Sequence, residues 1–146
     1  MIVVQFAGFS RSGKTEVCLR LAEHAAREGR LAYVKSHHAG LERPGSNTER
    51  MAQHAALRLL GGSDGMLRLG GRPTLAELLE EAQRAECDVV IVEGFKHTAG
   101  LKTWLRRDAK DVPPEGVVDV ALDLTGTQAL EMLPQELWSI APRRTV

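Results

Sequence analysis

The chain contains little cysteine and no long apolar run. Only two cysteines, Cys18 and Cys87, occur in 146 residues, and no CxxC spacing, the usual redox or zinc signature, is present. We interpret both cysteines as small buried hydrophobes in a reducing compartment. The sequence also lacks a basic leader and an apolar run of membrane-spanning length. We therefore expect no membrane association, and the cytoplasm is the default localisation.

The sequence has no excess charge of either sign, because 19 basic and 19 acidic side chains cancel. A nucleic-acid surface draws most of its affinity from a basic excess, so nucleic acid is not an expected partner. The chain is 43% hydrophobic and 26% charged, which is ordinary globular usage. No internal repeat or low-complexity segment is present. The length predicts one domain, residues 1–146.

A glycine-rich loop stands between an apolar run and a helix-forming segment near the start of the chain. The loop 8–15 reads GFSRSGKT and fits the template Gly, any four residues, Gly-Lys-Ser/Thr. Gly8 and Gly13 allow backbone N–H groups to converge on a phosphate. Lys14 can then reach the β and γ phosphates, and the Thr15 hydroxyl can ligate a bridging magnesium ion. The predicted nucleotide-binding residues are Gly8, Ser10, Arg11, Ser12, Gly13, Lys14, Thr15 and Glu16.

The remaining pattern predicts an α/β fold, a three-layer P-loop NTPase (Rossmann-like) domain with a mainly parallel sheet and flanking helices. Strands are predicted at Ile2–Ala7, Leu31–Lys35, Asp88–Val92, Leu101–Arg107 and Val117–Leu124, with a weak candidate at Met66–Leu69. Helices are predicted at Lys14–Glu28, Glu49–Leu60, Leu75–Ala85 with a Thr74 capping box, and from Gln128 to Leu133 or Leu137, broken by Pro134. We expect the tail, Pro142–Val146, to be poorly tied down.

Glu93 directly follows the apolar run DVVIV. A carboxylate at the carboxyl end of a central strand lies on the ligand side of an open α/β sheet. Such an acid can hold magnesium through water or position an attacking water, and we favour this role over simple pairing with Lys96 or Lys102. The predicted catalytic residues are therefore Lys14 and Glu93, and the predicted metal-side residues are Thr15 and Glu93.

Two histidines, His37 and His38, lie in a predicted loop at 36–46. Adjacent loop histidines are usually solvated, and a metal or phosphate role is the minority alternative. Lys96 and His97 have two open interpretations: they face the same cleft as Glu93, or they face solvent.

Three stretches together resemble the molybdopterin-guanine dinucleotide biosynthesis protein B (MobB-type) family: GFSRSGKT, VKSHHAGLERPGSNTERM, and DVVIVEGFKH followed by LKTWLRR. The resemblance runs from about Met1 to Arg107. It implies a P-loop domain that binds GTP and magnesium, hydrolyses GTP slowly at best and is commonly a homodimer. It further implies a molybdenum-cofactor guanylyltransferase as partner, with molybdopterin as a further candidate. The matching positions are Gly8, Gly13, Lys14, Thr15, Pro44, Gly45, Arg50, Glu93, Gly94, Phe95 and Lys96.

The sequence departs from this family at two places. Lys35-Ser36-His37-His38 stands where members often carry Lys-His-x-His-His, and Pro44-Gly45-Ser46-Asn47-Thr48 replaces Pro-Gly-Lys-Asp-Ser. These changes remove charges that could contact phosphate or metal. The chain also lacks an Asn-Lys-x-Asp motif, so its residues leave GTP and ATP as alternatives.

Two other functions fit parts of the sequence. A small P-loop kinase would need an arginine-bearing lid, for which Arg68 and Arg72 are candidates. A nucleotide-dependent metal-insertion chaperone would use the two adjacent histidines. For hydrolysis, Arg11, or Arg106 or Arg107 of a dimer mate, is a candidate arginine finger.

Overall fold

The computed structural model describes residues 1–36, 50–51, 54–55, 57–61 and 73–146. Its strands are β1 (Ile2–Gly8), β2 (Leu31–Ser36), β3 (Leu57–Gly61), β4 (Val89–Glu93), β5 (Lys102–Arg106), β6 (Val120–Thr125) and β7 (Arg143–Thr145). Its helices of known extent are α1 (Lys14–Glu28), α2 (Leu75–Arg84), α3 (Gly126–Glu131) and α4 (Pro134–Ile140). No helix in these described ranges is long and apolar enough to cross a membrane.

The strands form one sheet in the order β3-β2-β4-β1-β5-β6, and each neighbouring pair is parallel. On one side β1 pairs with β4, and on the other it pairs with β7 near its start and β5 near its end. Only β7 is antiparallel among these pairings. The predicted mainly parallel sheet is confirmed. Parallel strands bring their carboxyl ends to one edge, where open α/β sheets bind ligands.

Alternating side chains of the central strands pack against helices on opposite faces. Val4 and Ile91 belong to the cluster that includes α1, α3 and α4, whereas Val3 and Val90 belong to the cluster that includes α2. Because β4 is buried on both faces, its sequence is a continuous apolar run rather than an alternating one. The predicted arrangement of a sheet between helices is therefore confirmed.

The predicted helix Glu49–Leu60 is wrong over its second half. Residues 50–51 are helical, but Leu57–Gly61 is a strand parallel to β2. A short leucine-rich run fits a helix or a strand, and pairing along the β2 edge satisfies backbone groups that would otherwise be unpaired. The weak strand candidate Met66–Leu69 lies outside the described residues.

The chain end also differs from the expectation. Arg143–Thr145 pairs with the first residues of β1, so the prediction of a poorly tied tail is wrong. The pairing is specified by backbone groups left open on β1 before β5 begins, a long-range effect that local composition does not reveal. Pro134 separates two helices as expected, and it occupies the first turn of α4, where its missing N–H costs nothing.

Replacing Thr74 by alanine should destabilise the protein by about 1 kcal/mol. The predicted capping box is present: the Thr74 hydroxyl accepts from the Glu77 amide at 3.2 Å, and the Glu77 carboxylate accepts from the Thr74 amide at 2.9 Å. Urea unfolding measures the loss. The control is Thr127→Ala, at an exposed threonine of α3, and an equal loss in both variants would contradict a capping role.

Candidate functional site

A cavity of about 750 Å³ opens at the carboxyl edge of the sheet. It contains every predicted site residue except Ser12, which is buried within the loop at 2% exposure. Lys96 and His97 also line it; Lys96 is partly buried, whereas His97 is exposed and therefore faces solvent as well. The full lining is Gly8, Phe9, Ser10, Arg11, Gly13, Lys14, Thr15, Glu16, Lys35, Ser36, Glu93, Gly94, Phe95, Lys96, His97 and Thr98.

The loop reaches α1 through residues with positive φ. Gly13 is the N-cap of α1 at φ 85°, and Arg11 has φ 64°. Gly13 offers no side chain, so no side-chain cap bonds the first amides of α1. First-turn amides without such partners, together with the positive end of the helix dipole, favour an anion. The backbone therefore has the form that the GxxxxGKT template predicts.

Lys14 folds back over its own loop. Its Nζ donates to the Phe9 carbonyl at 2.6 Å and to the Ser12 hydroxyl at 3.3 Å. Burial is the largest cause that lowers the pKa of Lys14, and the negative charge of Glu93 opposes it. Phosphate oxygens are stronger acceptors for an ammonium than a carbonyl or a hydroxyl. The loop contacts thus hold Lys14 where a phosphate can replace them.

Glu93 is 5% exposed and receives three donors. The Thr15 hydroxyl donates to Oε1 at 2.8 Å, and the Tyr33 hydroxyl donates to Oε2. The Lys35 ammonium lies 3.6 Å from Oε1. The alternative of pairing with Lys96 or Lys102 is not seen among the ion pairs of the described residues. The carboxylate instead joins the phosphate loop to β2.

The sheet register explains this convergence. Glu93 is the partner of Lys35 in β2 and of Phe6 in β1, so the parallel strands place Glu93 and Lys35 side by side. Tyr33 precedes Lys35 by two residues and therefore projects from the same face. Sequence reasoning missed Tyr33 and Lys35 as site residues. Their spacing of two residues in β2 indicates that both side chains project from one face. Only the register between β2 and β4 shows that Glu93 lies beside them.

The oxygen donors at this edge suit magnesium. Mg²⁺ prefers oxygen ligands and keeps several waters, and the Thr15 hydroxyl and the Glu93 carboxylate, 2.8 Å apart, are oxygen groups of the kind that it binds. In the described ranges no group of three or more His, Cys, Asp or Glu residues could hold a metal. His37 and His38, candidates for a metal role, and Arg68 and Arg72, candidates for a kinase lid, lie outside those ranges.

Glu16 lies on the cavity wall and is 3.5 Å from the Arg50 guanidinium. Both side chains are about half exposed, so this ion pair adds little stability. The positive charge of Arg50 offsets the negative charge of Glu16 beside the phosphate loop.

The two arginines at the end of β5 are engaged within their own chain. Arg106 forms a two-point ion pair with Asp123, and Arg107 pairs with Asp111 at 2.6 Å. The two positive charges at the end of β5 are thus neutralised. Either arginine would have to leave a carboxylate in order to act as an arginine finger, whereas Arg11 already lines the cavity.

The Arg107–Asp111 pair should make stability depend on pH below 4. Hydrogen bonding from Arg107 lowers the pKa of Asp111 to about 2, from 3.8. The contribution is present above pH 3.8 and is lost as pH falls through about 2, because the unfolded chain binds the proton first. Urea unfolding between pH 4 and 2 should show a steeper loss in the wild type than in Asp111→Asn. Equal slopes would contradict the pairing.

Comparisons with known proteins identify a family for this chain. The family described as Molybdopterin guanine dinucleotide synthesis protein B matches residues 3–121. A curated Bacillus subtilis (strain 168) protein, named "Probable molybdopterin-guanine dinucleotide biosynthesis adapter protein", is 32% identical over 126 residues, which are 81% of this chain and 72% of that protein.

Two crystal structures share the fold. A MobB protein homolog from Bacillus stearothermophilus superimposes with a TM-score of 0.54 at 23% identity, over 94% of this chain and 96% of its own. Bacillus subtilis MobB gives a TM-score of 0.52 at 23% identity, over 97% and 99% of the two chains. At these identities the two structures support the fold alone.

Proposed function

The chain belongs to the molybdopterin guanine dinucleotide synthesis protein B family, and on that premise we propose that it is a GTP-binding adapter with weak GTPase activity. It assists the molybdenum-cofactor guanylyltransferase, the nucleotidyltransferase that attaches GMP to the pterin of the molybdenum cofactor. It acts as a cytoplasmic homodimer of single-domain chains, uses GTP and Mg²⁺, and has molybdopterin as a further candidate ligand.

The observation that carries this proposal is the junction of the phosphate loop with Glu93. The Thr15 hydroxyl, which directly follows Lys14, is hydrogen-bonded to Glu93 at 2.8 Å on the cavity wall. A P-loop NTPase needs a phosphate cradle and, beside it, a carboxylate on the side of the metal ion. The chain supplies both from elements 78 residues apart, which a chance match to the loop template would not produce.

Each residue has a separate role in this proposal. Lys14 and the loop amides hold the β and γ phosphates, which replace the Phe9 carbonyl and the Ser12 hydroxyl as acceptors for the lysine. Thr15 and Glu93 would hold Mg²⁺, Glu93 through water, and the ion would neutralise charge on the phosphate oxygens. Alternatively, Glu93 positions the attacking water. Gly8, Ser10, Arg11, Ser12, Gly13 and Glu16 shape the cradle around the phosphates.

The ion pairs of two candidate arginines are consistent with slow hydrolysis. An arginine that stabilises the transition state accelerates GTP hydrolysis by about 10³- to 10⁵-fold. Arg106 and Arg107 are held by Asp123 and Asp111. Arg11 is the remaining candidate on the cavity wall.

A pull-down with the guanylyltransferase tests the adapter role. The immobilised wild-type protein, loaded with GTP and Mg²⁺, should retain the guanylyltransferase, and the same protein without nucleotide is the control. Retention of an unrelated nucleotidyltransferase to the same extent would contradict a specific adapter. Rapid transfer of the γ phosphate to a metabolite acceptor would also contradict it, because that result defines a kinase.

A further inference from the structure

Three lysines line one cavity, and only one of them belongs to the phosphate loop. Lys35 lies in β2 and Lys96 follows β4, and both share the cavity with Lys14. Burial is the largest cause that lowers the pKa of Lys14, while the ammonium groups of Lys35 and Lys96 lower it further by repulsion. The three charges therefore lie close enough to interact. The cavity carries more positive charge than a phosphate loop alone supplies.

The turn that carries Lys96 has an unusual backbone. Gly94 has φ 92° and Phe95 has φ 52°. A positive φ is uncommon for a residue with a bulky side chain and persists only where the surroundings enforce it. Such strain often lies at ligand-binding turns.

Buried groups enforce this backbone. Gln5 is fully buried, and its Nε2 donates to the carbonyls of Gly94 at 3.0 Å and Phe95 at 3.1 Å. The Thr98 hydroxyl donates to the same Phe95 carbonyl at 2.7 Å. The turn is thus held by the buried Gln5 side chain of β1 and by a hydrogen bond from its own Thr98. Lys96 is presented to the cavity from a rigid support.

Lys35 and Lys96 line the same cavity from two segments of the chain, the end of β2 and the turn after β4, that touch each other. A Cβ added to Gly94 would lie 3.0 Å from the Ser36 Cβ, so the end of β2 touches the turn. The Lys96 ammonium stands 5.3 Å from the ring centre of Phe9, and it has no carboxylate partner among the described residues. Lys35 contacts Glu93, whose oxygens already accept from two hydroxyls. Lys96 can therefore bind an anion, and Lys35 can bind one in addition to Glu93.

We propose that Lys35, Ser36 and Lys96 form a second phosphate subsite, opposite the loop amides and Lys14. Two ammonium groups and a hydroxyl supply donors that suit a phosphate group. The phosphate is either the terminal phosphate of the nucleotide or the phosphate monoester of a second ligand bound beside it. This inference rests on the proposed function, because it assigns the part of the same cavity that the diphosphate of the nucleotide leaves open.

The first experiment compares GTP with GDP in Lys96→Ala. Calorimetric titration in the presence of Mg²⁺ should show a loss of GTP affinity of about tenfold, with GDP affinity within twofold of the wild type, if the subsite holds the terminal phosphate. The matched control is Lys110→Ala, which removes the same charge from an exposed position outside the cavity. It should leave both affinities unchanged.

The second experiment titrates inorganic phosphate into the protein loaded with GDP and Mg²⁺. If the subsite serves a separate phosphate monoester, the wild type should bind inorganic phosphate and Lys96→Ala should not, while the GTP affinity of the variant remains normal. Lys96→Arg keeps the charge and should restore binding in whichever experiment responds.

Two results would overturn the subsite: wild-type behaviour of Lys96→Ala in both experiments, or an equal loss of GTP and GDP affinity. The proposed function fails separately. If the wild type binds neither GTP nor GDP, the proposed GTP binding is wrong. Inorganic phosphate is then titrated into the nucleotide-free wild type and into Lys96→Ala, and the difference between the two affinities tests the subsite by itself.

Discussion

Lys14→Ala is expected to weaken GTP binding by about tenfold or more. A hydrogen bond to a charged group contributes about 1.5 to 3 kcal/mol, and about 1.4 kcal/mol corresponds to a factor of ten in affinity. Lys14 is the seventh of the eight residues of the GFSRSGKT template, it begins α1, and its ammonium already contacts the loop. Calorimetric titration with GTP and Mg²⁺ measures the change. GDP affinity should also fall, because the proposed function assigns the lysine to the β phosphate as well as to the γ phosphate.

The matched control for this variant is again Lys110→Ala, which loses the same charge at an exposed site. Its GTP affinity should equal that of the wild type. Unchanged GTP affinity in Lys14→Ala would mean that the cradle is misassigned. A folding defect is recognised separately, because it would lower the thermal unfolding temperature of the variant.

Glu93→Gln is expected to lower the affinity for Mg²⁺, so that GTP binding and hydrolysis require a higher Mg²⁺ concentration. Loss of a group that acts on a metal through its waters typically costs 10- to 100-fold in metal affinity or activity, and we expect an effect of about this size. The substitution keeps the shape of the side chain but leaves the Lys35 ammonium without its carboxylate. Titration of Mg²⁺ at fixed GTP, followed by the rate of phosphate release, measures both effects.

Two controls separate metal binding from packing. Glu115→Gln makes the same change at an exposed position and should have no effect. Tyr33→Phe removes one hydrogen bond to Glu93 but leaves its charge, so it should change the Mg²⁺ dependence less than Glu93→Gln does. An identical Mg²⁺ titration in the wild type and Glu93→Gln would show that Glu93 has only a structural role.

Local sequence signals were sufficient to predict helix α1, the Thr74 capping box and strand β4. Helix α1 begins at Lys14 and ends at Glu28 as expected, because its apolar face and the glycines at both ends specify it. The Thr74 capping box is equally local. Strand β4 was recognisable because burial on both faces leaves a continuous apolar run. These features require no knowledge of the rest of the chain.

Long-range pairing accounts for the errors. Leu57–Gly61 is a strand because β2 offers it an edge, and Arg143–Thr145 is a strand because the start of β1 does. The site shows the same division. Lys14 and Thr15 follow from a contiguous template, whereas the contacts of Glu93 with Tyr33 and Lys35 follow from the register between β2 and β4.

Titration of the wild-type protein with GTP and with ATP, both in the presence of Mg²⁺, tests the central claim most directly. The phosphate loop and Glu93 predict saturable binding of one nucleotide per chain, and the proposed function predicts that ATP does not displace bound GTP. Absence of binding of both GTP and ATP would contradict the phosphate cradle. Equal binding of ATP would contradict the assignment of guanine while leaving the cradle intact.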